Sequence, residues 1–330
     1  MGEGEGIDER TIDAHREKLE NVKREIGKLI VGQKEVVDGL FLGLLCNGHI
    51  LVEGVPGIAK TLIIRTLAKA TGCDFNRIQF TVDLLPTDIT GITAYNKDKG
   101  FYVVKGPVFT NFILADEINR APPKTQSALL EAMGERQVTI GKETFILPNP
   151  FFVMATQNPI ESAGTYSLPE AQIDRFLLKL FMDYPTCDEE MKILKKNINL
   201  YKFDDFNIKA AITPQEILKM QDDTKKIYMG QKVEQYCVNL VDATRRPKKY
   251  GIKLGKYIEI GSSPRASIGL FIVSKANALV HGKNFVIPDF VKEIAHIVLR
   301  HRIILNYEGM AEGIKTDDIV KEILEKVPIP

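Results

Sequence analysis

Apolar residues recur at helical spacing through residues 17–30, stop at Val31-Gly32-Gln33, and resume through 34–46. The rhythm then changes. His49-Ile50-Leu51-Val52-Glu53 is an apolar run of strand length, followed by a glycine-rich turn and a helical stretch over 59–71. Further short apolar runs lie at 75–81, 112–115, 151–156 and 176–182, separated mostly by helical patterns. Pro122-Pro123 opens one of those helices, which continues to Met133, because proline is tolerated in a first helical turn. Five short buried strands alternating with helices predict a parallel sheet with helices on both faces.

Two stretches break the alternation. Residues 84–107 intrude between the second and third strands, with turn residues at 96–100. Residues 137–147 read as a hairpin around Gly141-Lys142. Both are expected to project from the sheet as insertions. Beyond about Pro185 the pattern is helical, at 187–197, 214–226, 232–245, 264–281, 288–301 and 317–326. The expected organisation is a flexible tail over 1–15, an α/β domain over 16–185 and an α-helical domain over 186–330.

Composition narrows the function. The 330 residues are 44% hydrophobic and 26% charged, an ordinary globular balance, and the formal net charge of +1 supplies no global field to attract nucleic acid or anionic lipid. No apolar run approaches the ~20 residues that span a bilayer, so membrane insertion is not expected. The first ten residues lack the basic-then-apolar pattern of a secretory signal. Cys46, Cys73, Cys187 and Cys237 have neither zinc-ligand nor CxxC spacing, which predicts a reducing cytoplasm and no structural metal site. The five histidines are scattered. His296 and His301, five apart, do not share a helical face.

The chemistry concentrates at strand ends. Gly54-Val55-Pro56-Gly57-Ile58-Ala59-Lys60-Thr61 follows a strand and opens a helix, and resembles the Walker A pattern GxxxxGK[ST]. Its glycines let backbone amides close around phosphate oxygens, and the helix start adds a favourable dipole. Lys60 is expected to bridge the β- and γ-phosphates of ATP and Thr61 to ligate Mg2+, and Leu62 is counted with them among the nucleotide-binding residues. Ala59 stands where the general motif has glycine. A methyl group is a small intrusion there if the backbone stays right-handed, so binding is expected to survive.

Phe112-Ile113-Leu114-Ala115 delivers Asp116 and Glu117 at a strand end, where open α/β sheets bind ligands. Asp116 suits hydrated magnesium and Glu117 suits a base that orients the attacking water. Acidic residues after a strand also cap helices; their place downstream of a P-loop favours chemistry. Asn158 follows the fourth strand. Its amide suits a bridge between γ-phosphate and water, and Asn158-Pro159 equally satisfies a turn.

With these residues in hand, the chain resembles the AAA+ ATPases and, among them, the MoxR family. The resemblance runs from about Ile30 to at least Ala266. It is carried by Ile30-Val31-Gly32-Gln33, GVPGIAKT at 54–61, LADEINRAPPKTQSALLEAM at 114–133 and ATQNPIESAGTYSLPEAQIDRF at 155–176. Ala59 is typical of this family. The resemblance implies a P-loop core with a helical lid, and roles by position. Asn158 is similar to sensor 1. Arg175 is similar to the arginine finger that reaches a neighbouring subunit's γ-phosphate, and Arg265, in Gly261-Ser262-Ser263-Pro264-Arg265-Ala266, to sensor 2. Backbone at Val31, Gly32 and Gln33 is implied to meet adenine. The insertions resemble the helix-2 insert and pre-sensor-1 hairpin. Arg120 and Arg136 flank the site without an assigned role.

The same resemblance implies a hexameric ring that remodels, matures or activates protein partners, often ones with a von Willebrand factor A domain. Relatives also include helicase subunits, which keeps a DNA-acting ring motor as an alternative. The one dense basic run is Arg245-Arg246-Pro247-Lys248-Lys249, and a solvated loop is its plainer reading. A nucleotide-dependent switch that hydrolyses slowly is a third reading.

Overall fold

The structure, a computed structural model, describes residues 7–55, 57–98, 100–158, 164–196 and 203–330. Helices α1 (Glu9–Leu29) and α2 (Lys34–Leu45) lead into strand β1 (Ile50–Gly54) and helix α3 (Lys60–Ala70). Next come β2 (Phe75–Gln79), the short α4 (Pro86–Thr90), and a hairpin of β3 (Gly91–Asn96) and β4 (Gly100–Lys105). Then follow β5 (Phe112–Asp116), α5 (Pro123–Glu135), and a second hairpin of β6 (Gln137–Ile140) and β7 (Glu143–Ile146). The α/β part ends with β8 (Phe152–Gln157), α6 (Glu170–Ile173) and β9 (Leu178–Met182), followed by α7 (Cys187–Lys196). The remainder is α8 (Pro214–Lys226), α9 (Gln231–Arg245), β10 (Ile258–Ile260), α10 (Pro264–Val280), α11 (Pro288–Leu299), β11 (Ile304–Leu305), α12 (Tyr307–Ala311) and α13 (Thr316–Lys326).

Strands buried on both faces need near-continuous apolar runs, and β1, β5 and β8 have them. The five-stranded sheet has the order β2-β5-β8-β1-β9, with parallel pairing of β2 to β5, β5 to β8 and β8 to β1. This is the α/β core the alternation predicts. One face carries Leu51, Ile113, Ala115 and Val153, which pack with Leu129, Leu130 and Met133 of α5 and with Phe176. Each such side chain contributes about 1.5–3 kcal/mol by leaving water. The registers Val52↔Thr156 and Gln79↔Asp116 align the carboxyl ends of the strands.

His49 sits fully inside this core, just before β1. Its Nδ1 accepts from the Val153 amide at 3.1 Å and its Nε2 faces the Met133 carbonyl at 3.2 Å, which fixes the neutral tautomer with the proton on Nε2. Burial, reinforced by the Arg136 cation, pushes its pKa from 6.5 down to about 3. Between those values the unfolded chain holds a proton that the folded chain refuses. Stability from His49 is therefore complete above pH 6.5 and falls as pH drops toward 3, by up to about 1.4 kcal/mol per unit. Urea unfolding at pH 7.5 and pH 5 is expected to show a larger acid loss for wild type than for His49→Asn. Equal losses would refute this account.

The chain divides into two compact units. One holds the described residues of Glu20–Phe176 and Leu180–Lys219; the other holds those of Met1–Leu19, Leu177–Lys179 and Met220–Pro330. Two expectations differ here. The tail was expected over 1–15; residues 1–6 lie outside the described residues, but 9–15 are helical, with Ile12 and His15 buried. Asp8 explains the early start: its carboxylate accepts from the Thr11 amide at 2.7 Å, an N-cap inside an acidic run. The described part of 186–219, expected in the helical domain, groups with the sheet. Lys196 Nζ donates to the Gly27 carbonyl at 2.7 Å, and the Arg65 guanidinium lies 4.1 Å from the Phe203 ring centroid. Among the described residues, no helix is long and apolar enough to cross a membrane.

Candidate active site

Sheet order builds the site. β8 lies between β1 and β5, and the three run parallel. The loop after β1, Asn158 after β8 and the carboxylates after β5 therefore emerge at one edge, side by side.

The loop begins at a position only glycine fits. A Cβ on Gly54 would lie 2.4 Å from the Met182 carbonyl oxygen at the end of β9. Val55 is half-buried, Gly57 exposed and Ile58 buried, while Pro56 lies outside the described residues. The condition set for Ala59, a right-handed backbone, is not met: φ is +64° and ψ 24°, in the left-handed region. An alanine there costs roughly 1–2 kcal/mol over a right-handed one, so the turn into α3 is held under local strain. That turn presents Lys60 and Thr61 at the helix start, with Leu62 behind them, all half-buried. Lys60 Nζ donates to the Gly54 carbonyl. Burial pulls its pKa below the usual lysine range, while Asp116, Glu117 and Glu53 push it back up.

The carboxylates are tightly held. Asp116 Oδ1 accepts from the Thr156 hydroxyl at 2.7 Å. Its Oδ2 accepts from Arg77 Nε at 3.1 Å and Nη2 at 2.7 Å. Glu117 is left-handed at φ +56°, and its amide donates to Thr156 Oγ1 at 2.9 Å. Glu117 Oε2 accepts from Gln79 Nε2 at 2.8 Å and from Arg120 Nη1 at 2.9 Å. Sequence reasoning missed Arg77, Gln79 and Thr156. The available signal was an arginine and an amide in β2, where the other strands are apolar.

The remaining candidates fall into place separately. Asn158 is 6% exposed. Gln33 is left-handed at φ +53° and starts α2, and its Nε2 donates to the Asp183 carbonyl at 2.8 Å. Since Gly54 abuts Met182, residues 182–183 join the Val31-Gly32-Gln33 turn to the foot of the loop. Arg175 is exposed between α6 and β9, and its Nη1 donates to the Leu130 carbonyl at 3.2 Å. Arg265 is exposed in the first turn of α10, whose N-cap Ser263 accepts from the Arg265 amide at 3.1 Å.

The two unassigned arginines separate. Arg120 touches Glu117. Arg136 instead ends α5 and donates to the Phe151 carbonyl at 2.8 Å, a packing role away from the carboxylates. The basic run at 245–249 is partly paired, one carboxylate serving two of its four cations. Asp242 pairs with Lys249 at 3.0 Å and Arg246 at 3.4 Å, and Arg245 donates to the Ser262 carbonyl at 2.7 Å.

A lysine and hydroxyl at the helix start after β1, and an aspartate at the end of β5 across β8, are the donor types a magnesium nucleotide requires. Comparison with known proteins supplies the family. Residues 49–178 match the model of the ATPase family associated with various cellular activities (AAA), and 255–323 match an AAA lid domain. Chaperone MoxR1 of Mycobacterium tuberculosis is 44% identical over 314 residues, covering 94% of this chain and 82% of that one. The uncharacterized protein YeaC of Bacillus subtilis is 43% identical, covering 92% of each chain. A crystal structure from Cytophaga hutchinsonii, of a protein provisionally assigned as an ATPase, is 48% identical with a TM-score of 0.91 over 98% of both chains. The chain belongs to the MoxR family of AAA+ ATPases.

Proposed function

We propose that the protein hydrolyses ATP to ADP and phosphate at a site completed by a neighbouring copy, and that the ring so formed, a hexamer, remodels or matures protein partners. The observation that carries this reading is the parallel order β5-β8-β1, which brings the Lys60 loop, Asn158 and the Asp116–Glu117 pair to one edge. Loop amides and Lys60 bind the phosphates, and Thr61 and Asp116 would hold magnesium. Bound magnesium supplies charge neutralisation for the phosphates. Glu117 takes the proton of the attacking water, and Asn158 orients that water. Arg175, exposed and held at Leu130, is presented to the next subunit's γ-phosphate. The Val31-Gly32-Gln33 turn meets adenine, and Arg265 of the lid senses the nucleotide.

Family membership supports a chaperone-like role, and we place the partner among proteins with a von Willebrand factor A domain. Four free thiols suit a cytoplasmic setting. The formal net charge of +1 weighs against a DNA-acting motor.

Steady-state turnover per subunit, measured with magnesium across a wide protein concentration range, tests the composite site. Turnover is expected to rise steeply as subunits associate. Substantial turnover in a sample shown by sizing to be monomeric would refute it.

A further inference from the structure

Arg175 sits two residues before Leu177 and four before Lys179, at the start of β9. Two arginines beyond α11 grip that start. Arg302 Nη1 donates to the Leu177 carbonyl at 3.1 Å and also to the Val298 carbonyl. Arg300 Nη1 donates to the Lys179 carbonyl at 3.4 Å, while its Nε donates to Asp317 of α13 at 3.0 Å. Both arginines are 7% exposed. Burying a guanidinium is expensive, and an apolar side chain of similar volume packs as well or better. Packing alone therefore does not call for arginine at 302. The carbonyls it reaches, that of Leu177 among them, do.

The helix that carries Arg265 touches the same place. Gly269 lies one turn after Arg265 on the same helical face. A Cβ on Gly269 would lie 3.0 Å from Val298 Cγ1, 3.7 Å from Leu177 Cδ1 and 3.9 Å from Arg302 Nη1. The link from Leu177 back to Arg175 is short. Two residues span about 7 Å at most. The intervening Phe176 is 0% exposed. A shift of Leu177 therefore passes to Arg175 with little slack.

We infer that Arg302 is a positioning residue for Arg175: by fixing the Leu177 carbonyl it sets where Arg175 is presented, and it ties that presentation to the helix bearing Arg265. The inference rests on the reading of Arg175 as the group that completes a neighbour's site. Nucleotide contact in one subunit then adjusts the arginine offered to the next. Arg300 steadies the same strand from α13.

Arg302→Met tests this, with Gly269→Ala as a milder push on the same contact. Arg302→Met is expected to keep its nucleotide affinity and its assembly. Its turnover is expected to fall about 10²-fold, the scale of a misplacement near 1 Å. Mixing decides between positioning and general damage. A Glu117→Gln subunit lacks its base but still presents Arg175 to its neighbour. Mixed with Arg302→Met subunits, whose Glu117 is intact, it is expected to raise turnover about tenfold or more above the sum of the two alone. Arg175→Ala mixed with Glu117→Gln is the control. A gain in the control without a gain for Arg302→Met overturns the inference and leaves the composite site standing. No gain in either mixture refutes the composite site and the inference with it. Wild-type turnover of Arg302→Met alone also overturns the inference. If Arg302→Met does not fold, Gly269→Ala carries the same mixture test, with the same result for or against.

Discussion

Replacing Arg175 with alanine is expected to lower ATP turnover by about 10³–10⁵-fold, the range for loss of an arginine that stabilises phosphoryl transfer. The transfer disperses negative charge over the γ-phosphoryl oxygens, and a guanidinium that reaches them only in an assembled ring would act on the transition state. The expected loss corresponds to roughly 4–7 kcal/mol of barrier. An ordinary surface arginine paired with a neighbour such as Asp174 is worth about 1 kcal/mol or less. The two accounts therefore differ by several powers of ten in rate and are easily separated. Arg175 is exposed and held by one backbone hydrogen bond, to Leu130, so its removal is not expected to lower the melting temperature much. Nucleotide affinity should stay near wild type, because the Lys60 loop is untouched. Arg175→Lys keeps the charge but loses the fork, and is expected to recover only part of the rate. Turnover of an assembled Arg175→Ala ring within tenfold of wild type would remove Arg175 from the reaction.

The strands were legible because each is a short apolar run with a turn at its end, and the motifs were legible because they occupy those turns. The sheet order was not. Nothing local in 151–157 says that β8 inserts between β1 and β5, yet that insertion is what sets Asn158 beside both the Lys60 loop and Asp116. The partners of the carboxylates were hidden for the same reason. Arg77 and Gln79 lie 39 and 38 residues from Asp116 and Glu117, and meet them only through the β2–β5 register. The Ala59 backbone was not legible because a residue's identity does not fix its φ. Alanine ordinarily avoids the left-handed region, and here the geometry of the loop overrides that preference. Gln33 and Glu117 show the same override, each at the entrance to a helix beside the site. The early start of α1 depended on one cap, Asp8, within a run that composition alone assigns to a tail.

Glu117→Gln is expected to lower turnover by about 10²–10⁴-fold, the usual contribution of a positioned general base, while leaving ATP bound. Glutamine keeps the shape and removes the proton-accepting charge. The structural cost is small. The Arg120 partner is 45% exposed, and an exposed i,i+3 pair contributes about 0.5 kcal/mol. The backbone amide at 117 keeps its bond to Thr156 Oγ1, so the strand end stays in place. In the structure Gln79 and Arg120 both donate to Glu117 Oε2, which leaves Oε1 as the oxygen to accept a proton from water. Single-turnover hydrolysis with protein in excess over labelled ATP isolates this step from product release. The variant should retain the label as ATP long after wild type has converted it to ADP. A single-turnover rate within about threefold of wild type would be far too small a change for a general base. Glu117 would then be a structural partner of Gln79 and Arg120, and its reading as the general base would fail.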